Sequence, residues 1–188
     1  MTALSERALP RRWVLSAGVG SLALALPKAQ GSVRTIRQRG MSGGGLVQLD
    51  GDEAPRLANF GLFASAVQLP DGTNLVLGTI QWIEAGTDLE LQSLEVTQCQ
   101  PIANRSDGAE VRGRMQVNGD GDYPFVIRAI DGGRPGSALD RMEVEVNTPL
   151  AQEGAEPATG DADFTYVANG NLVGGDFQWI IADIDLSA

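Results

Sequence analysis

The 188-residue chain has no histidine, one cysteine and one lysine. Each shortage removes a chemistry. Without imidazole there is no Ser-His-Asp or Cys-His relay, and no histidine to hold zinc. With Cys99 alone, no intramolecular disulfide can form, so stability rests on apolar burial and backbone hydrogen bonds. Cys99 lies between Gln98 and Gln100 after an apolar alternation and reads as a strand-end or core thiol. Aromatics make up only 5% of the chain. No glycine-rich phosphate loop precedes a helical pattern, which argues against nucleotide use. No amphipathic helix argues for membrane insertion.

What is present begins with an address. Arg11 and Arg12 stand before the uncharged, largely apolar run Trp13 to Leu26, in which small residues such as Gly18 and Gly20 dilute the hydrophobicity. A charged start, an apolar middle and a small-residue exit form an export signal, and the arginine pair points to the twin-arginine route. The run is 14 residues long, short of the roughly 20 that a helical span needs. Cleavage after Ala25 or Ala29 fits equally well. The expected organisation is a signal peptide over 1–29, a flexible Arg/Gly-rich linker over 30–42, and one β domain over 43–188.

The leader carries Arg7, Arg11, Arg12 and Lys28 against Glu6, so its removal takes the formal net charge from −10 to −13. Three arginines, Arg34, Arg37 and Arg39, fall in the arm that follows, which leaves the body strongly acidic. Such a field repels nucleic acid and anionic lipid, and favours solubility or cation association. The expected partner is an unidentified envelope protein or a glycan. Neither nucleic acid nor membrane insertion after signal cleavage is expected.

Beyond the leader, glycines punctuate short alternating runs, and no 3.6-residue stripe persists over a dozen residues. Leu46–Leu49 reads as a first strand, followed by Leu57–Leu69 and Asn74–Ile83 across the turn Pro70-Asp71-Gly72-Thr73. Asp88–Leu91 and Leu94–Gln98 follow, with a kink at Ser93. The clearest hairpin joins Glu110–Val117 to Tyr123–Ile130 through Asn118-Gly119-Asp120-Gly121-Asp122. In Arg141–Val146 the apolar Met142, Val144 and Val146 alternate with Arg141, Glu143 and Glu145, a strand with one wet face. Thr148–Asp163 reads as a mobile surface loop, and Tyr166 and Phe177–Ile184 as closing strands. The expected fold is all-β: a single, mostly antiparallel β-sandwich or flattened barrel of about nine to ten short strands, preceded by the signal helix.

Two segments carry a family likeness. Asn118 to Phe125 leads into Arg128-Ala129-Ile130-Asp131-Gly132-Gly133-Arg134-Pro135-Gly136 and Asp140-Arg141-Met142-Glu143-Val144, and Gly170 to Gln178 comes later. The order resembles the small β domain called post-COAP in bacterial surface and secreted proteins. There a Gly-rich turn precedes a Tyr-x-Phe strand, an Asp-x-Gly-x-Pro-Gly turn, an Asp-led strand and a Gly-Gly closing strand. This chain departs from that pattern with Asp176 after the glycines and with its long 148–163 segment. The resemblance implies a β fold and an exported setting, and carries over no catalytic residues.

Few residues stand out as candidate sites. Asn118, Asp120 and Asp122 alternate with glycines in the manner of a calcium loop, yet the same residues suit a hairpin turn that needs positive φ angles. Asp50, Asp52 and Glu53 form a second acidic turn. Carboxylate-pair hydrolysis remains open to a chain without histidine, with Asp131, Asp140, Glu143 and Glu145 as its candidates against plain turn and surface roles. Trp82, Trp179, Tyr123 and Tyr166 stack on sugars if exposed along one face, and pack the core otherwise. The leading expectation is an exported, non-enzymatic binding or structural module at the cell surface or in the periplasm. The alternatives are a small carboxylate-based hydrolase acting on a carbohydrate or similar substrate, and a calcium-stabilised adhesion domain.

Overall fold

The computed structural model describes residues 35–51, 56–133 and 140–186. They all belong to the second of two compact units, Val33–Ala188. The leader with Arg11 and Arg12, and the acidic pair Asp52 and Glu53, lie outside the described residues. Eight strands form one closed barrel in which every neighbouring pair is antiparallel: β1 (Thr35–Leu49), β2 (Leu57–Gln68), β3 (Asn74–Glu84), β4 (Glu90–Pro101), β5 (Gly108–Val117), β6 (Asp120–Ile130), β7 (Arg141–Val146) and β8 (Tyr166–Asp185). A single helical turn, α1 (Pro149–Gln152), separates β7 from β8. Strand order follows chain order, and β8 closes on β1.

The expectation of nine to ten strands is corrected to eight among the described residues, for a physical reason. Two runs that read as separate pairs are single strands with interruptions. The kink near Ser93 is a register shift between Ser93 and Glu95 inside β4, and a second shift follows between Val96 and Gln98. Likewise, Gly174-Gly175 does not divide the closing strands, because β8 runs through it while its register against β1 shifts at Leu46/Val47. A bulge bends a strand without ending it.

The expected linker is also corrected in part. Residues 35–42 form the first half of β1, paired with β2 on one side and β8 on the other. The glycines there serve packing. Phe60 faces Gly45 and Phe177 faces Gly43 across β1, and the two rings meet with centroids 5.3 Å apart. A Cβ at Gly43 would come within 3.2 Å of Phe177 Cε1 and closer still to its Cδ1. The bare backbone at Gly43 leaves room for the Phe177 ring that meets Phe60, whereas at Gly45 it lets β8 approach at Gly174 and Gly175.

The barrel encloses a packed apolar interior. Met41, Ile80, Trp82, Val111, Met115, Ile127, Met142 and Val144 are all fully buried. Inward and outward residues alternate along β7 as its sequence pattern requires, with Met142, Val144 and Val146 inside. On β6 both parities are covered, and Val126 is buried along with Phe125 and Ile127. The reason is α1, which packs over β6 and β7 with Ala151 buried beneath it.

Tight turns join the strands where the residues permit. Asn118 (φ 54°) and Gly119 (φ 78°) make a two-residue hairpin with both φ values positive, closed by the pairing of Val117 with Asp120. Between β2 and β3, Gly72 takes φ 88° and the Asp71 carboxylate accepts from the Thr73 amide at 2.9 Å.

Candidate functional site

Two polar constellations interrupt the apolar plan. The first closes one end of the barrel. On β3, Ile80 and Trp82 point inward, and two residues later so does Glu84, which is 2% exposed. A carboxylate at an apolar parity needs partners, and it has two. Arg56 Nη1 donates to Glu84 Oε1 at 2.8 Å, and the Tyr166 hydroxyl donates to Oε2 at 2.9 Å. Trp82 Nε1 in turn donates to the Tyr166 oxygen at 3.0 Å. Burial first, and then the hydrogen bond to Glu84, push the Tyr166 phenol well above its ordinary value. The arrangement holds a carboxylate, an indole and a phenol in fixed positions. Both carboxylate oxygens accept hydrogen bonds from neighbouring side chains.

The second constellation lies outside the barrel wall, beneath the segment that follows β7. A groove of about 700 Å³ runs between β4, β5 and residues 151–159, and Thr97, Gln98, Arg112 and Arg114 contribute to its lining. The segment above it, expected as a mobile loop, is fastened at several points. Thr148 caps α1 by accepting from the Ala151 amide at 3.2 Å, and donates to Glu145 at 2.7 Å. Asn147, at φ 54°, donates to the carbonyls of Phe164 (2.7 Å) and Ala162 (3.3 Å) and accepts from Gln152 (2.9 Å). The Tyr123 hydroxyl accepts from the Asp161 amide at 2.6 Å, and its ring lies 5.3 Å from that of Phe164.

Arg114 forms the central fastening. Its guanidinium donates to Asp122 Oδ1 at 2.6 Å, to the Asp122 carbonyl at 2.9 Å, to the Pro157 carbonyl at 3.1 Å, and to the Glu156 carbonyl. Only the planar fork of arginine reaches so many acceptors at once. Next to it, Arg112 donates to Glu110 at 2.9 Å and to the Leu150 carbonyl at 2.9 Å. Glu110 also accepts from Arg128 at 3.0 Å. Burial resists its ionisation, but the hydrogen bonds from Arg112 and Arg128 outweigh that and hold its carboxyl below the usual range.

Asn118 Oδ1 accepts from the Glu90 amide at 2.8 Å, Asp120 Oδ1 from the Gly121 amide at 2.8 Å, and Asp122 Oδ1 from Arg114. Each candidate calcium donor thus has an oxygen in a different protein contact. Among the described residues, no cluster of three or more His, Cys, Asp or Glu side chains is placed to hold a metal.

Of the carboxylate candidates, Asp131 and Asp140 sit side by side at the end of the β6–β7 ladder, just beyond the Ile130–Arg141 pair. Asp131 accepts from the Gly133 amide, and buried Asp140 from the Gly132 amide, each at 2.7 Å. Glu143 and Glu145 lie on the outer side of β7. Asp50 pairs with Arg141 at 2.8 Å. Of the aromatics, Trp82 and Tyr123 are buried, and Tyr166 and Trp179 pack partly against the core, so they form no exposed row. Cys99 is buried, which pushes its thiol up.

Sequence reasoning missed Glu84, Arg56 and the Arg114 clamp. Glu84 left a signal, a lone charge at the inward parity of an apolar alternation. The clamp's reach to the Glu156 and Pro157 carbonyls left none, because a backbone acceptor carries no residue signature. Compared with known proteins, the chain matches no family model, no curated protein and no solved structure.

Proposed function

We propose that this chain is an exported, non-enzymatic β domain that serves as a binding or structural module in the periplasm or at the cell surface. The observation that carries the reading is the packed interior. A barrel filled by Met41, Ile80, Trp82, Met115 and Met142 offers a rigid outer surface in place of a reaction chamber. Its one inward carboxylate among the core-facing strand positions, Glu84, is committed to Arg56 and Tyr166. The groove under residues 151–159 is the binding position this reading favours, with a glycan or an envelope protein as ligand. Its polar lining of Thr97 and Gln98 offers hydroxyl and amide groups to either, while the two arginines hold the segment above in place.

Export through the twin-arginine route belongs to the same proposal, as does kinship with post-COAP domains. Acidic composition, the arginine pair and the Gly-cornered strands all support an extracytoplasmic setting.

Titration calorimetry with purified envelope polysaccharide and with solubilised envelope proteins tests the groove. Binding is expected, and Thr97→Arg, which puts a long side chain into the groove, is expected to abolish it. Absence of binding to both would overturn the module. Hydrolysis of a glycoside or ester substrate that disappears in Glu84→Gln would establish the hydrolase instead. For export, changing Arg11 and Arg12 to Lys is expected to leave precursor in the cytoplasm, and unchanged export would show the pair to be incidental.

A further inference from the structure

The sequence holds two Asn-Gly pairs, Asn118-Gly119 and Asn169-Gly170. In such a pair the glycine nitrogen can close a small ring on the asparagine side-chain carbon, and no Cβ shields it. The fold places the two pairs in opposite settings.

Asn118 and Gly119 are both exposed, at the two-residue tip that joins β5 to β6. Nothing lies within 4 Å of the Cβ position at Gly119. Among the described residues, neither the Gly119 amide nor Asn118 Nδ2 donates a hydrogen bond. The oxygen of that side chain is engaged instead, since Oδ1 accepts from the Glu90 amide at 2.8 Å, which draws electron density from Cγ. The attacking nitrogen and the departing nitrogen are thus free, and the carbon between them is polarised.

Asn169 is half-buried and Gly170 is buried. Gly170 sits in the ladder with Leu49 of β1 on one side and Met142 of β7 on the other. A Cβ on it would strike the Gln48 carbonyl oxygen. Arg141 donates to Asn169 Oδ1 at 3.1 Å, and the Asp50 amide to the Asn169 carbonyl at 2.8 Å. Here strands on both sides hold the peptide.

We propose that Asn118 is a site of spontaneous covalent modification, converting to aspartate and isoaspartate in the folded protein, and that Asn169 is protected. The Gly119 nitrogen bonds to Asn118 Cγ and the Cγ–Nδ2 bond breaks. Nδ2 departs as ammonia, gaining through solvent a proton in exchange for the one that Gly119 gives up. Water then opens the cyclic imide at either carbonyl. Nothing is oxidised or reduced, and each event adds a negative charge.

The two products differ in what they do to the barrel. Aspartate keeps an oxygen for the Glu90 amide. Isoaspartate routes the main chain through Cγ and adds a methylene to a turn built for two residues. The reciprocal bonds between Asn118 and Glu90, N to O at 2.7 Å and Oδ1 from N at 2.8 Å, then lose their geometry, and the tip lets go of β4. Opening sets the rates. Attack at Asn118 needs only the hairpin tip to leave its turn, whereas attack at Asn169 needs β8 to part from both neighbours, which approaches global unfolding.

Peptide mapping by mass spectrometry, after storage of the folded protein in mildly alkaline buffer, reads both sites. Conversion at Asn118 is expected to run at least about tenfold faster than at Asn169, given the spread of local opening free energies. In denaturant the two rates are expected to converge, which assigns the contrast to the fold. Asn118→Gly, whose Gly-Gly pair still suits the turn, is expected to lose the conversion at this position. Amide exchange at Glu90 is expected to speed up in the isoaspartyl form and to stay unchanged in the aspartyl form. An Asn118 that stays intact in the folded protein while the denatured chain converts would overturn the proposal. So would equal rates at the two sites in the folded protein, or Asn169 reacting first.

Discussion

Tyr166 and Glu84, 82 residues apart in the chain, share a hydrogen bond of 2.9 Å at one end of the barrel. Because Trp82 donates to the same hydroxyl, the phenol both gives and receives, and it links β8 to β3 across the mouth of the core. Tyr166→Phe removes both bonds and leaves the Trp82 N–H and one Glu84 oxygen without their partner. The expected cost is about 1–3 kcal/mol in urea unfolding, the range for a buried group left unsatisfied. A loss below about 0.5 kcal/mol would mean that water takes over the role.

The same phenol sets an alkaline limit. Its folded-state value is raised above the ordinary 10.0, first by burial and then by Glu84. The unfolded chain therefore gives up this proton first, so the contribution is whole below about pH 10 and falls as pH rises beyond it. Absorbance of tyrosinate should show a phase above the ordinary tyrosine range that disappears in Tyr166→Phe. Loss of that phase on some other substitution, with Tyr166→Phe unaffected, would refute the assignment.

At acid pH the corresponding group is Glu110. Arg112 and Arg128 hold its carboxyl below the ordinary 4.5 against the opposing effect of burial. A depressed folded-state value means stability that is present above about pH 4.5 and lost as pH falls through the folded value. Glu110→Gln should flatten that acid limb in a series of thermal melts. It should also lower stability at neutral pH by about 1–3 kcal/mol, since two charge-assisted hydrogen bonds lose their acceptor charge.

Much of this barrel was legible from periodicity, because alternation depends on which face of a strand is wet. β7 shows it plainly, with Met142, Val144 and Val146 inside and Arg141, Glu143 and Glu145 outside. The hairpin at Asn118 was legible too, but its turn is the pair Asn118-Gly119 and not the five residues to Asp122, and β6 starts at Asp120 rather than Tyr123. The first half of β1 was not. Arg37, Arg39, Gly43, Gly44 and Gly45 have the composition of an arm, and they become a strand because β2 and β8 supply both edges and two phenylalanines need the space. Val126 on β6 could be understood only once α1 was seen to cover it. Of the polar sites, Glu84 was missed because the strand was read only to Ile83, one residue short of the inward charge. Two acceptors of Arg114, the Glu156 and Pro157 carbonyls, belong to a segment whose course no local pattern predicts.

That clamp makes a local prediction. Arg114 joins β5 to Asp122 and to the carbonyls of Glu156 and Pro157, so Arg114→Ala releases residues 153–159 while leaving the strand pairing intact. Amide exchange and limited proteolysis in that segment should rise sharply, with protection in β2 and β3 unchanged. Arg114→Lys should not restore the segment, because a single ammonium lacks the planar fork that reaches Asp122 and the carbonyls together. Equal protection in wild type and Arg114→Ala would show that Asn147 and Tyr123 suffice to hold it.

The bulged strand makes the sharpest contrast, between two glycines. Gly113 on β5 pairs with Val96 in the irregular stretch of β4, and a Cβ there would run into the carbonyl oxygen of Glu95 and come within 2.9 Å of Val96 Cα. Those are backbone atoms, and they cannot swing aside as a flexible side chain would. Gly61 on β2 has nothing within 4 Å of its Cβ position, and its φ is not in the positive range. Gly113→Ala should therefore cost about 1–3 kcal/mol, the price of forcing a methyl into filled space. Gly61→Ala should be neutral, or stabilising by about 0.4–1 kcal/mol through the lower entropy of the unfolded chain. Chemical denaturation of both variants under one set of conditions measures the difference. If the two alanines behaved alike, β4 would have to yield at its bulge, and the close approach of β4 to β5 would not be a fixed feature of the barrel.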